Sequence, residues 1–210
     1  MRVCELLEKE IEFGKAQLIL VGGRPAMGKT SFARSTSVAM AEKGYKIGYF
    51  SLELNRNEWF GRASNIRSTE EIENLTIDIL DEVPKSADEI EANSVDKGYD
   101  LLIIDYLQLV DRGEGSLEDV IKAIRSLADK LCIPVFVLSQ LTRNIETRDN
   151  HMPMVEDLEA GGIDENLFDQ VFLLYRGHYY DREKDSSKLI VVKKNGEEQL
   201  EWDYDSLSVL

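Results

Sequence analysis

This 210-residue chain lacks any apolar run near the roughly 20 residues that a membrane helix needs. Its opening stretch, Met1 to Glu10, has no apolar core of the signal-peptide kind. Both absences predict a cytoplasmic protein without a membrane partner. Cysteine is scarce: Cys4 and Cys132 lie far apart, without metal-ligand spacing, and read as reduced thiols. His151 and His178 lack metal partners at useful spacing and are taken as loop residues. Positive charge is also short, with 25 Lys and Arg against 40 Asp and Glu for a formal net charge of −15. That balance argues against a broad nucleic-acid-binding face, which is normally basic, and leaves room only for a local basic channel. The acids cluster: Thr69 to Gly98 holds ten against two lysines, and Glu197 to Asp205 holds five with no base. We take these stretches as a solubilising outer face. Linkers, repeats and low-complexity tracts are absent too, which predicts one domain over 1–210.

Against this plain background, Gly23-Arg-Pro-Ala-Met-Gly-Lys-Thr30 is a full match to the phosphate-loop pattern G-x-x-x-x-G-K-[ST]. It follows the apolar run Gln17 to Gly22 and precedes a helical run from Ser31 to Lys43. In that context Gly23, Arg24, Pro25, Ala26, Met27, Gly28 and Ser31 form a cradle whose backbone N–H groups, absent only at Pro25, hold phosphate oxygens. The positive end of the following helix assists it. Lys29 is placed to reach the β- and γ-phosphates, and Thr30 to hold a magnesium ion.

Apolar runs at Leu18–Val21, Lys46–Phe50, Leu75–Leu80, Leu101–Tyr106, Pro134–Leu138 and Val171–Tyr175 read as strands. Helical patterns fall between them at Ser31–Lys43, Asn57–Ile66, Ala87–Lys97 and Ser116–Leu131. Continuous apolar strands alternating with helices predict an α/β fold with a mostly parallel sheet covered on both faces. Ligands of such sheets sit beyond the carboxyl ends of the strands. From Ser187 the pattern changes to a hairpin, Lys188 to Lys194 and Glu197 to Tyr204, with Asn195-Gly196 at its turn. Leu141 to Asn166 is the longest expected loop, and its glycines suggest a mobile segment at the active edge.

Three further polar residues fall at expected strand tips. Asp105 ends Leu101-Leu-Ile-Ile-Asp105 and suits an acid that orients magnesium through its water shell. Glu53, just past Tyr49-Phe-Ser-Leu, can polarise an attacking water, or be a surface glutamate. Ser139-Gln140 follows Pro134-Val-Phe-Val-Leu, where an amide can sense the γ-phosphate, or simply form a turn. Trp59, Trp202 and most tyrosines suit packing, with Tyr179-Tyr180 a candidate exception because its surroundings are polar.

Taken together, several strings resemble the ATPase domain of the DnaB-like replicative helicases, within the RecA-like ATPases. They are the phosphate loop, Phe50-Ser-Leu-Glu-Leu54, Ile104-Asp-Tyr-Leu-Gln-Leu109 and Leu138-Ser-Gln-Leu-Thr-Arg143. Asp157-Leu-Glu-Ala-Gly-Gly-Ile-Asp-Glu165 and a strand ending Tyr175-Arg176 complete the set. The resemblance covers roughly Ala16 to Gly196. It implies a RecA-like P-loop fold and ATP hydrolysis with Mg2+, coupled to movement along single-stranded DNA by a hexamer or other ring working with other replication proteins. It makes Glu53 the catalytic glutamate, Asp105 the magnesium aspartate, Gln140 the γ-phosphate sensor and Arg62 a helical arginine near the nucleotide. It makes Arg143, Glu159, Gly161 and Gly162 candidates for the DNA loop, and Lys193 and Lys194 candidates for the group offered in trans to a neighbour's ATP.

Departures from the family pattern bear on that expectation. The chain begins almost at the first strand, without the family's N-terminal domain and linker helix. The stretch from Glu53 to Asp105 is short. Lys194 stands where the family offers an arginine, and lysine lacks the planar fork. Glu159 replaces an arginine of the DNA loop, which opposes phosphate contact. Two readings follow: an ATP-dependent DNA helicase domain of bacterial, phage or mobile-element origin, or a reduced ATP-binding regulatory module that unwinds nothing alone.

Overall fold

The computed structural model describes residues 9–82, 86–159, 161–181, 187–193 and 196–202. Among the described residues eight strands are formed: β1 (Gln17–Gly23), β2 (Ile47–Ser51), β3 (Ile77–Leu80), β4 (Leu101–Asp105), β5 (Pro134–Gln140), β6 (Gln170–Arg176), β7 (Ser187–Lys193) and β8 (Gly196–Trp202). They make one sheet in the order β3-β2-β4-β5-β1-β6-β7-β8. The pairs from β3 across to β6 are parallel, and β7 and β8 add antiparallel. The expected hairpin is therefore the far edge of the sheet, with its turn residues 194 and 195 outside the described residues.

β1 runs through the centre, buried at all seven positions, with β5 on one side and β6 on the other. Its side chains alternate between two apolar layers. Ile19 and Val21 join Phe32, Tyr49, Phe136 and Phe172 on one face. Leu18 and Leu20 join Phe50, Leu102, Ile104, Val135 and Val137 on the other. Because both faces are covered, these strands read as unbroken apolar runs.

The helices between β1 and β5 are α1 (Lys29–Glu42), α2 (Arg56–Ala63), α3 (Thr69–Glu73), α4 (Ala87–Ala92) and α5 (Leu117–Leu131). The apolar stripe of α5, Leu117, Val120, Ile121, Ile124, Leu127 and Ala128, recurs every three or four residues and is buried. Reciprocal capping boxes start four of these helices: Asn55 with Glu58, Ser68 with Glu71, Ser86 with Glu89 and Ser116 with Asp119.

Some boundaries differ from the sequence expectation. α4 stops at Ala92 instead of running to Lys97: Asn93 caps it, Ser94 Oγ donates to the Ile90 carbonyl at 2.7 Å, and Asp96 turns left-handed at φ 61°. α2 ends at Ala63, and β3 begins at Ile77 because Leu75 closes a turn onto Ile72. The long connection after β5 carries structure of its own, with helical turns at Arg143–Thr147, Glu156–Glu159 and Glu165–Leu167.

Candidate functional site

The phosphate-loop stretch turns sharply between β1 and α1. Ala26 and Gly28 both take left-handed backbone, at φ 63° and φ 93°. At Gly28, which caps α1 with no side-chain hydrogen bond, a Cβ would be strained. The first turn of the 14-residue α1 carries no acid, so its unpaired N–H groups and positive helix end face the turn uncompensated. Lys29 lies across the loop, its Nζ donating to the carbonyls of Gly23 at 2.8 Å and Arg24 at 3.2 Å. Burial pushes its pKa down to about 8; the nearby Asp105 and Glu53 charges oppose the shift and Arg24 adds to it. An anionic oxygen entering the loop would raise it again.

Asp105 ends β4, opposite Ser51 of β2, and is 2% exposed. Its Oδ1 accepts the Thr30 hydroxyl at 3.4 Å, and its Oδ2 accepts the Tyr49 hydroxyl at 2.7 Å. Burial pushes the Asp105 carboxyl upward; Tyr49 and Thr30 pull it down by hydrogen bonding, and Glu53 works against them. A hydroxyl beside a buried carboxylate oxygen fits magnesium, which takes hard oxygen ligands and would offset the desolvated negative charge.

Glu53 sits two residues past β2, exposed, in the same cleft. The strand end that carries it is pinned by Leu52 N–H to the Asp105 carbonyl at 2.9 Å and by Ser51 Oγ to the Leu54 carbonyl at 2.6 Å. Arg62, in the last turn of α2, faces the cleft as well. Gln140 reaches it from the tip of β5, whereas Ser139 is fully buried and turned away. Gln108 clamps that tip: its amide donates to Ser139 Oγ at 2.9 Å and to the Gln140 carbonyl at 3.2 Å, and accepts the Gln140 N–H at 3.2 Å.

Lys29, Thr30, Glu53, Arg62, Asp105 and Gln140 thus line one cleft of about 400 Å³, with Pro25, Ala26, Gly28 and Ser31 as its floor. The other loop residues play different parts. Gly23 contributes its carbonyl to Lys29, and Met27 is buried in the core. Arg24 points away, to Glu146 Oε1 at 3.0 Å and the Leu141 carbonyl at 2.9 Å. Three lining residues were missed from sequence: Arg34, Tyr106 and Arg176. Arg34 lies one helical turn beyond Thr30 and donates to Ser31 Oγ at 3.3 Å, a spacing that could have revealed it. Arg176 ends β6 beside β1 and donates to the Ala26 carbonyl at 3.3 Å.

Of the residues expected to meet DNA, Arg143, Gly161 and Gly162 do not line the cleft among the described residues. Arg143 is exposed at the start of a helical turn, and Gly161 and Gly162 are exposed, Gly162 with φ 76°. Glu159 closes a short helix; its side chain lies outside the described residues, as do Lys194 and the side chain of Lys193. The connection is fastened by Arg148, whose guanidinium grips the buried Asp157 at 2.8 and 2.6 Å. Trp59 is fully buried and packs as expected; the side chain of Trp202 lies outside the described residues. Tyr180 stacks on His151 at 4.3 Å, while Tyr179 stays 56% exposed. No helix among the described residues is long and apolar enough to cross a membrane.

Comparison with known proteins meets this geometry. The DnaB-like helicase C-terminal domain family matches the chain over residues 5–76 and 63–202. A probable plasmid replicative DNA helicase of Chlamydia psittaci is 32% identical over 225 residues, covering 89% of this chain and 48% of that protein. The replicative DNA helicase DnaC of Bacillus subtilis is 31% identical over 215 residues, covering 86% of this chain and 47% of its own length. A solved ATPase domain superposes with a TM-score of 0.83 at 25% identity, covering 95% of this chain and 85% of that one. A solved DnaB-like replicative helicase, described with its interactions with primase, gives a TM-score of 0.79 at 25% identity over 93% of this chain and 58% of that one. The chain spans about half the length of the curated relatives it matches.

Proposed function

The chain belongs to the DnaB-like helicase C-terminal domain family, and from that premise we propose that it hydrolyses ATP to drive movement along single-stranded DNA during replication. The observation that carries this reading is the convergence of Lys29, Thr30, Glu53, Asp105 and Gln140 on one cleft from three separate strand ends and a helix start.

Each residue has a task that follows from its place. The amides from Ala26 to Ser31 cradle the phosphate chain, and Pro25 shapes the turn. Lys29 exchanges two loop carbonyls for phosphate oxygens, which suit its charge better. Thr30 and Asp105 would hold magnesium, which when bound neutralises charge on the β- and γ-phosphate oxygens. Glu53 orients and polarises the attacking water. Arg62 adds a cation near the phosphates. Gln140, set by Gln108, meets the γ-phosphate, and its position at the start of the connection after β5 lets it report on hydrolysis there.

That connection, with Arg143, Glu159, Gly161 and Gly162, is the proposed DNA-facing segment. Glu159 weakens it for phosphate contact. Assembly is proposed as a hexamer or other ring with other replication proteins in the cytoplasm of a bacterium, phage host or mobile-element host. Lys193 or Lys194 is proposed to face the neighbour's nucleotide, and a lysine there predicts slow turnover because an arginine finger supplies several orders of magnitude in rate.

The test is ATP hydrolysis by the purified chain with and without oligo-dT, beside Lys29→Ala, with the assembly followed by light scattering. Magnesium-dependent hydrolysis that oligo-dT stimulates, lost in Lys29→Ala, supports the proposal. No hydrolysis under either condition, or rates untouched by Lys29→Ala, refutes it.

A further inference from the structure

The Asp105 carboxylate is bonded on both oxygens before any ligand arrives, and the two bonds differ. The Thr30 contact at Oδ1 is long, at 3.4 Å, and belongs to a hydroxyl that faces the cleft. The Tyr49 contact at Oδ2 is 2.7 Å, in the range of a charge-assisted O–H···O bond, and comes from the core side. Tyr49 is wholly buried in the middle of β2, between Ile79 of β3 and Ile103 of β4. Its ring meets Trp59 edge-on at 5.4 Å, and Trp59 meets Phe60 in the same way at 5.3 Å. The ring is thus buried between neighbouring strands, with its hydroxyl on the Oδ2 side of the carboxylate.

We infer that Tyr49 is a positioning residue that withholds Oδ2 of Asp105 from a bound cation, leaving Oδ1 alone to face the Thr30 side, and so selects magnesium over calcium. This rests on the magnesium reading above. A carboxylate that offers one oxygen suits magnesium, which keeps several of its waters and demands octahedral geometry. Through those waters a single fixed oxygen is enough to orient it, whereas calcium takes more oxygens, in a more flexible geometry, and accepts carboxylate oxygens directly. Removing the phenol frees Oδ2 and lets Asp105 turn, which penalises the rigid octahedral ion and not the adaptable one. The hydroxyl also has a simpler use, since a buried phenol needs a partner for its own sake; metal selectivity separates the two roles.

The experiment measures binding of a fluorescent ATP analogue to the full chain as Mg2+ or Ca2+ is raised, without reference to turnover. Tyr49→Phe removes one oxygen and keeps the ring. Its half-saturating Mg2+ should rise at least about fivefold, in line with the loss of one hydrogen bond to a charged group. Half-saturating Ca2+ and metal-free nucleotide affinity should change by less than about twofold. In an Asp105→Asn background, Tyr49→Phe should change neither metal further. Trp59→Phe, a packing control, should lower the melting temperature and keep the Mg2+ to Ca2+ ratio. An unchanged ratio in Tyr49→Phe, or an equal shift in Trp59→Phe, overturns the inference while leaving the site reading intact. Nucleotide binding by the unaltered chain that ignores divalent ions overturns the site reading itself, and the inference with it.

Discussion

The phosphate loop and the connection that follows β5 lie side by side at the carboxyl end of the sheet and are held in opposite ways. The loop is fixed by its backbone: a buried strand runs into two left-handed residues and then directly into a long helix. The connection from Leu141 to Leu167 is fixed by side chains. Arg148 grips Asp157, the Asp157 carboxylate also accepts the Met154 N–H at 2.8 Å, and Tyr175 donates to the Asn150 carbonyl at 3.1 Å. Backbone geometry of the first kind has few alternatives. Side-chain bonds of the second kind can be exchanged for others of similar strength. The proposed motor would need both: a site whose geometry stays put while chemistry proceeds, and a neighbour that can answer it.

The largest break in that comparison should come from within the rigid half. Glu53→Gln keeps the shape of the cleft and removes the proposed base. It should lower the rate of ATP hydrolysis by roughly 100- to 10,000-fold, the usual contribution of a positioned base. Nucleotide affinity, measured on the same preparation, should stay within about threefold. Loss of binding and turnover together would mean that Glu53 shapes the cradle, and the assignment of a purely chemical role would fall.

The second effect should come from the side-chain half. Arg148→Ala leaves Asp157, only 1% exposed, without its counter-charge. Because Arg148 itself keeps 29% of its side-chain exposure, we expect a loss of about 2 kcal/mol, below the range for fully buried pairs. In a chain of this size that lowers the melting temperature by about 4–8 °C. Nucleotide affinity should hold, while stimulation by oligo-dT should fall. A matching fall in nucleotide affinity would show that the two regions are not held independently.

The same contrast explains what could be read without coordinates. The phosphate loop was legible because a backbone-defined turn leaves its mark in consecutive residues, Gly23 to Thr30. Asp105 and Gln140 were legible because each ends a continuous apolar strand, and the order of strands puts such ends together. Helix starts were legible only as the beginnings of helical patterns, as at Ser116 and Ala87; the capping boxes that fix them, and the short helix that Ser68 opens, were not foreseen. Arg24 shows the limit. Pattern placed its backbone in the cradle and said nothing of its side chain, whose charge turns out to the neighbouring connection, because side-chain direction in a tight turn depends on what packs outside it. Tyr49 shows the same limit: a tyrosine in a strand reads as packing, and only the parallel register of β2 with β4 brings its hydroxyl to a carboxylate 56 residues away. The connection after β5 was legible only as a loop, since ion pairs such as Arg148 with Asp157 leave no periodic trace.

The smallest effect tests the contact between the two regions. Arg24 joins them through Glu146, a pair whose side chains are 12% and 41% exposed. Exposed pairs of this kind contribute roughly 0.2–1 kcal/mol. Glu146→Gln removes one charge, leaves the Leu141 carbonyl still bound to Arg24, and loosens the weak Tyr180 hydroxyl contact to the same carboxylate at 3.4 Å. The ratio of hydrolysis rates with and without oligo-dT should drop by about twofold, with the ATP KM unchanged. A larger loss in the ratio alone would make this pair the main route by which the loop informs its neighbour. A change in KM alone would instead place Glu146 among the supports of the cradle, and the boundary between rigid and exchangeable halves would have to be redrawn on its far side.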